Sequence, residues 1–315
     1  MSVTVSTYAG KIGWYARKYL PIAASDSYLK LQYLKRRKAS QEYIEYFCSC
    51  KEKPQPLNFL IETINRCNST CEFCSANKNA ETRPFCRMEQ ALFEKIIDQI
   101  AVWDYSGYIS LFANNEPFMD TRVIELHRYI REKLPKAKIK VFTNGLLLTV
   151  EKFREIAPYV DLLIINNYCE DRRLHKNVRE LYDYLKANPK LHEKIDVQIH
   201  VRYIKEILTN RAGTAPNKKA SDKTIKEPCL LPYTDMIIYP NGIVGTCCCD
   251  VKEVTNLGDL NKETVQQVWT GERAEKFRKQ LMNGRNGHEF CAHCDFVDTG
   301  RRVKLTKEQK KTKEK

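Results

Sequence analysis

The sequence predicts an α/β protein built on a parallel sheet and followed by a smaller unit of another kind. Three observations carry this. Short apolar runs of strand character alternate five times with stretches of helical spacing between residues 57 and 204. The alternation stops near residue 205, where a polar, loop-like segment takes over. Two groups of cysteines stand apart from the regular pattern, one just after the first strand and one in the terminal unit.

Taken in order, residues 1–56 precede the first strand and read as mostly helical. Trp14, Tyr15, Tyr19, Leu20, Tyr28, Leu31, Tyr33 and Leu34 stand there among Lys and Arg, and Pro21 splits the stretch in two. The pattern suits an interfacial helix pair or, more commonly, a stripe packed on the main domain. Strands are expected over 57–63 (LNFLIET), 107–113 (GYISLFA), 137–143 (AKIKVFT), 160–166 (VDLLIIN) and 195–204 (IDVQIHVRYI). Helices are expected over 87–103, 121–134, 149–159 and 178–188, where apolar residues recur three and four apart. Apolar strands alternating with helices make a parallel sheet covered by helices, as an open barrel or a doubly wound sheet. Beyond the polar segment, TDMIIYPNGIVGTCCC reads as a hairpin turning at Pro240-Asn241-Gly242. A helical stretch over 261–282 and a Cys-Ala-His-Cys run at 291–294 complete it. The expected division is 1–56, 57–205, a linker 206–228, a second unit 229–300 and a tail 301–315.

Composition narrows the function classes. No apolar run long enough to span a membrane occurs, and the N-terminus lacks a secretory h-region, so a cytoplasmic protein is expected. Thirteen cysteines in that reducing setting point to metal ligation or thiol chemistry, with Cys48, Cys50 and Cys86 reading as small buried apolar residues. The net charge of +14 sits at the ends: residues 1–53 and 301–315 carry +6 each, and the middle is close to neutral. Basic ends suit an anionic partner, such as a phosphate-bearing substrate or a membrane surface met by the N-terminal region. The tail itself reads as solvated, and its lack of aromatics argues against nucleic acid.

The first cysteine group is Cys67-x3-Cys71-x2-Cys74, inside NRCNSTCEFCSAN. A 4Fe–4S cluster needs four ligands, so three thiolates leave one iron open to a small molecule. A zinc site would need a nearby fourth ligand, and no His lies close in sequence. The loop follows the first strand at its C-terminal end, the face on which barrel-type α/β sheets place their sites.

On these residues the sequence resembles the radical S-adenosylmethionine (radical SAM) enzymes, whose signature is Cys-x3-Cys-x2-Cys after strand one, with an aromatic such as Phe73 before the last Cys. The likeness extends over about residues 57–205. Asn114-Asn115-Glu116-Pro117 after the second strand resembles the family's GGEP segment, whose backbone and Glu meet the cofactor's amino group. Two asparagines stand in place of glycines, and Asn tolerates the left-handed region. Thr143-Asn144, followed by Gly145, ends the third strand, and Asn166 and Asn167 end the fourth, where the family meets the cofactor's ribose. Arg202 in the fifth strand stands where relatives contact the cofactor's carboxylate. The resemblance implies a partial (β/α) barrel that cleaves S-adenosylmethionine to a 5′-deoxyadenosyl radical. It also implies an electron donor such as flavodoxin or ferredoxin.

Cys229, Cys247, Cys291 and Cys294 could close a second 4Fe–4S cluster, with zinc as the competing reading. The run NGIVGTCCCDVKEVTNLGDLNKETVQQVWTGERAEKFR resembles the SPASM/twitch extension of radical SAM enzymes, in its shorter one-cluster twitch form. That form implies chemistry on an aminocyclitol, sugar or polyol. Cys249 and Cys169 are candidate hydrogen-atom donors, which would make the reaction an epimerisation; otherwise an oxidation is expected. A maturase of ribosomally made peptides is the alternative, disfavoured because only 56 residues precede strand one. A non-enzymatic iron–sulfur or zinc protein binding nucleic acid is a further one.

Overall fold

The computed structural model describes residues 4–7, 22–190, 194–297, 303, 305, 306 and 309. The five expected strands form as β2 (Asn58–Ile61), β3 (Tyr108–Ser110), β4 (Lys138–Thr143), β5 (Leu162–Cys169) and β6 (Asp196–Tyr203). Between them run α2 (Gln90–Ala101), α3 (Val123–Lys133), α4 (Val150–Ile156) and α5 (Lys176–Ala187). All five strands are parallel neighbours, in the order β6-β5-β4-β3-β2. Buried residues alternate strictly along β5, and each helix turns one apolar face to the sheet. On α2 that face is Phe93, Ile96, Ile97 and Ile100, each contributing roughly 1.5–3 kcal/mol on burial. Thr149 starts α4 by accepting the Lys152 N–H on its hydroxyl.

The N-terminal region adds a strand to the helical reading. Thr4–Thr7 is a strand, β1, which pairs in parallel with β6 and extends the sheet. The first expected helical segment lies outside the described residues. The second is one helix, α1 (Ile22–Ser49), whose Tyr43, Ile44 and Phe47 are buried in the main core. Phe47 meets the rings of Tyr233 and Trp269 edge-on at 5.4 and 5.8 Å. Of the expected stripe only the Leu34 side chain is described, and it is exposed, so the packing of α1 comes from residues further along the helix. Cys48 is exposed, and Cys50 and Cys86 are half-buried, so none of the three is the buried apolar residue expected.

The terminal unit continues the same sheet. The short helix α6 (Leu231–Thr234) leads into β7 (Asp235–Ile238), which lies parallel to β2 and is buried along its whole length. The predicted hairpin follows with β8 (Ile243–Gly245), turning on Gly242 at φ 85°. A two-residue strand, β9 (Gly258–Asp259), closes this edge. Among the described residues the sheet has nine strands, in the order β1-β6-β5-β4-β3-β2-β7-β8-β9, with β1 and β9 at its two edges. The single predicted helix over 261–282 is two, α7 (Val265–Thr270) and α8 (Glu272–Leu281), because the chain is extended at Gly271. Thr264 and Gln267 form a capping box on α7. A further helical turn, α9, spans Glu289–Ala292. All thirteen cysteines are free.

Candidate active site

Parallel strands put all their C-terminal ends on one face, and the loops leaving β2, β3 and β4 meet there around a cleft of about 740 Å³, open mouth included. The first loop carries the three thiols. A turn closes it, with the Cys74 N–H donating to the Cys71 carbonyl at 3.1 Å. Asn77 clamps the turn by donating to the carbonyls of Cys71 and Cys74 at 3.0 and 2.6 Å. The sulfurs are already held: the Ser69 N–H donates to Cys67 at 3.4 Å, and the Ser69 hydroxyl lies 3.0 Å from the Cys71 sulfur. Cys67, Cys71 and Cys74 all line the cleft. Burial pushes the Cys67 thiol up to about 12 and Cys71 to about 11. Such thiols are poor nucleophiles near neutral pH and need a cationic centre to deprotonate.

Asn114, Asn115 and Glu116 form the second wall. Neither asparagine is among the described residues of positive φ, so the segment does without the left-handed conformation that glycine would allow. Instead the Asn115 side chain braces its own loop, accepting the Ala113 N–H at 3.1 Å. The Asn114 N–H donates to Glu62 at 2.7 Å, and the Asn114 side-chain oxygen accepts from Arg211. Glu116 is fully buried and knits the loop after β4, accepting from the Thr143 hydroxyl at 2.7 Å and the Asn144 N–H at 2.8 Å. Burial raises its carboxyl to about 7, against those hydrogen bonds, which lower it. Pro117 begins the helical turn behind the wall and does not line the cleft.

Thr143, Asn144 and Asn166 line the cleft, and so does Phe73, whose ring packs on Tyr168 at 5.1 Å. Asn167, one residue along β5, points the other way, as strand alternation requires. It donates to the Arg173 carbonyl at 2.8 Å and accepts the His175 N–H at 2.8 Å. Arg202 also falls outside the lining: it is paired with Glu206 and lies over the Tyr168 ring at 5.1 Å.

The terminal unit gathers the second set of thiols. Cys247, Cys249 and Cys294 are buried together with Leu231, and Cys229 packs against them. The Cys294 N–H donates to the Cys291 carbonyl at 3.1 Å, so the Cys-x2-Cys pair forms one tight turn. Cys229 and Cys291 are raised by burial, and neighbouring thiols of the same set add to the effect. Among the described residues no three His, Cys, Asp or Glu side chains are arranged around a single metal ion. A cubane spaces its thiolates farther apart than one ion does.

Neither candidate hydrogen donor reaches the cleft. The Cys169 thiol donates to the Arg173 carbonyl at 2.8 Å, on the Asn167 side of β5. Cys249 is turned inward, where its thiol is held by those of Cys247, Cys248 and Cys294. The turn responsible carries hydrogen bonds from the Asp250 N–H to the Cys247 carbonyl and from the Val251 N–H to the Cys249 carbonyl.

Sequence reasoning missed two charged residues. Arg211 comes from the segment read as linker, where it and Ala212 both have positive φ. It lines the cleft and bonds Asn114 on one side and the Cys248 carbonyl, at 2.6 Å, on the other. Burial opposes its charge, but the thiols Cys74, Cys249, Cys248 and Cys247 more than offset this and raise its pKa. It therefore stands between the two thiol sets, and no motif announces it. Glu62, by contrast, was visible as a lone acid ending an apolar strand. It lies buried beneath the cleft, paired with Arg83 at 3.0 Å.

The donor set fits an open-site cluster with a polar organic ligand. Three thiols share one cleft, and the buried Asn114 Nδ2 and Arg211 Nε beside them have no hydrogen-bond partner. Comparisons with known proteins agree. The family model of the radical SAM superfamily matches residues 61–204, and that of the SPASM iron–sulfur cluster-binding domain matches residues 229–295. This chain carries a radical SAM domain joined to a SPASM domain. Its cofactors are S-adenosylmethionine and iron–sulfur clusters, and the match over 229–295 decides against zinc in the terminal unit. A curated relative, the S-adenosyl-L-methionine-dependent 2-deoxy-scyllo-inosamine dehydrogenase of Niallia circulans, is 25% identical over 241 residues, which is 75% of this chain and 92% of the relative. The crystal structure of BtrN in complex with AdoMet and 2-DOIA is similar in fold, with a TM-score of 0.67 at 23% identity, covering 78% of this chain and 94% of that one. BtrN in an open conformation has a TM-score of 0.57 at 20% identity, with the same coverage. No helix among the described residues is long and apolar enough to cross a membrane.

Proposed function

We propose that this radical SAM enzyme oxidises a carbinol carbon of a cyclitol or sugar to a ketone. Cys67, Cys71 and Cys74 hold the cofactor-binding cluster, and Cys229, Cys247, Cys291 and Cys294 hold one auxiliary cluster. Bound in this way, the groups supply hydrogen-atom abstraction from the carbinol carbon and one-electron uptake, so the alcohol loses one hydrogen as an atom and the other as an electron and a proton.

The chain's own residues set up that chemistry. Asn114, Asn115 and Glu116 fix the second wall, and Glu116 carries the loop with Thr143 and Asn144 to the same depth. Asn166 and the Phe73–Tyr168 pair bound the third side. Arg211 offers a buried positive charge where a substrate hydroxyl would lie between the thiol sets, which favours that oxygen as it gives up its proton. Leu208 and Phe112 exclude water from the same space.

The observation that favours oxidation over inversion is the lining of the cleft. Its thiols are those of the Cys67, Cys71 and Cys74 triad, and neither Cys169 nor Cys249 joins them. Inversion needs a hydrogen donor on the face opposite the abstraction, and the cleft presents no spare thiol for it. The likeness to an aminocyclitol dehydrogenase across most of both chains supports the same reading and the substrate class. The enzyme is taken to work in the cytoplasm with a flavodoxin or ferredoxin as reductant.

The test is anaerobic reconstitution with S-adenosylmethionine, a reductant and candidate cyclitols in deuterated water. A product lighter by two hydrogens is expected. A product of unchanged connectivity that has gained solvent deuterium at one carbon would show inversion and overturn the reading.

A further inference from the structure

Two buried guanidinium groups flank the second thiol set. Arg211 faces it from the cleft. The other, Arg285, stands away from the cleft and has no part in lining it. It begins the helical turn Arg285–Gly287 that links α8 to α9, and its backbone N–H donates to the Ile225 carbonyl at 3.1 Å. Its residue is 5% exposed. Nη1 donates to the Cys294 carbonyl at 3.5 Å, and Nε has no hydrogen-bond partner. No carboxylate forms a salt bridge with it among the described residues. With Cys229 it lines a pocket shared by Gln41 and Ile44 of α1, Phe296 and Glu227, whose carboxylate is taken up by an ion pair with Arg37.

A permanently charged group buried without a counter-ion is costly. The groups that can balance Arg285 are the thiolates themselves. Its Nη1 bonds the Cys294 carbonyl and it shares a pocket wall with Cys229, so its charge sits beside the thiol set. Four thiolates around an iron–sulfur core carry net negative charge, and one-electron reduction adds to it. A nearby fixed cation stabilises the reduced state more than the oxidised one.

We propose that Arg285 is a positioning residue that raises the reduction potential of the auxiliary cluster held by Cys229, Cys247, Cys291 and Cys294, fitting it to accept an electron. The inference rests on the proposed function for what that electron serves. The charge effect itself needs only a cluster on these thiols. The step is a one-electron uptake with no proton moved, and in the test the electron comes from dithionite through mediators.

The experiment uses the full chain carrying Cys67→Ala, Cys71→Ala and Cys74→Ala, so that only the auxiliary cluster gives a signal. Arg285→Gln and Arg285→Lys are added singly, and the reduced cluster is followed by electron paramagnetic resonance during potentiometric titration. The midpoint should fall in Arg285→Gln and stay near the parent value in Arg285→Lys. An unchanged midpoint in Arg285→Gln, or an equal fall in both variants, overturns the proposal. Should Arg285→Gln bind too little iron to titrate, Gln41→Glu decides, because it sets a carboxylate in the same cavity and leaves the guanidinium in place. A lower midpoint there supports the proposal and an unchanged one overturns it. A parent that binds no iron would instead refute the ligand assignment, and Arg285's role with it.

Discussion

Replacing Arg83 by methionine would expose how a buried ion cluster beneath the cleft supports the cofactor loop. Arg83 joins Glu62 at 3.0 Å, Glu81 at 2.8 Å and Glu253 at 3.2 Å, tying the β2 end to the terminal unit. Its side chain is 7% exposed and that of Glu62 is fully buried. Removing one partner of such a pair strands a buried charge, at a cost of about 3–5 kcal/mol. At roughly 2 °C per kcal/mol for a chain of this size, the thermal midpoint should fall by about 6–10 °C. The loss should depend on pH. Burial raises the Glu62 carboxyl to about 7, while Arg83 and the Asn114 N–H pull it down. A carboxyl whose folded pKa lies above its unfolded value favours the fold fully below the unfolded pKa, and that contribution is lost as pH rises through the folded one. Without Arg83 the folded value rises further, so the deficit should be small near about pH 5.5 and grow towards about pH 8. Thermal unfolding of the iron-free protein at fixed scan rate under argon measures it. Glu62→Gln combined with Arg83→Met should recover much of the loss at high pH, since the amide keeps an acceptor for the Asn114 N–H. A deficit under about 1 kcal/mol, or one equal at both pH values, would refute the reasoning.

Other outcomes follow from the same geometry. Arg211→Gln should cut substrate oxidation about 100-fold under steady-state assay, as loss of a preorganised charge does, while the iron content stays at the parent level. Cys169→Ala and Cys249→Ala should each still give the oxidised product, read by mass spectrometry, since neither thiol reaches the cleft. Thr264→Ala should lower stability by about 1 kcal/mol through loss of the α7 capping box, seen as a small fall in thermal midpoint.

Much of the fold was legible because periodicity is local. The alternating strands and amphipathic helices between 57 and 204 announce themselves residue by residue, and the Pro240-Asn241-Gly242 turn sets its hairpin. What escaped was set by distant packing. Val3-Thr4-Val5-Ser6-Thr7 carries a β-branched signal, but it was absorbed into a region dominated by aromatic and basic residues, and its partner strand β6 is nearly two hundred residues away. Gly271 split an apparent helix because it stops α7 and caps α8, a choice that spacing alone does not show.

The cleft shows the same division. Cysteine spacing marked Cys67, Cys71 and Cys74 and the Cys291–Cys294 pair, since a short turn brings such thiols together, while Cys229 and Cys247 join the second set through packing of separate segments. Arg211 was invisible, because its role comes from a positive-φ corner that throws a loop residue between two sets of thiols. Cys249 was expected to face the substrate, and the turn two residues after Cys247 packs it with Cys247 and Cys294. Asn167 and Arg202 were expected at the cofactor, and local bonding to Arg173, His175 and Glu206 holds them off the cleft.

The most direct measurement of the central claim is iron content and S-adenosylmethionine cleavage in the parent and in the Cys67→Ala, Cys71→Ala, Cys74→Ala variant, both reconstituted anaerobically. Two four-iron clusters on separate thiol sets predict that the variant loses about half its iron and all cofactor cleavage, while the remaining cluster keeps its spectrum. A variant that retains the parent's full iron, or still cleaves the cofactor, would contradict the account.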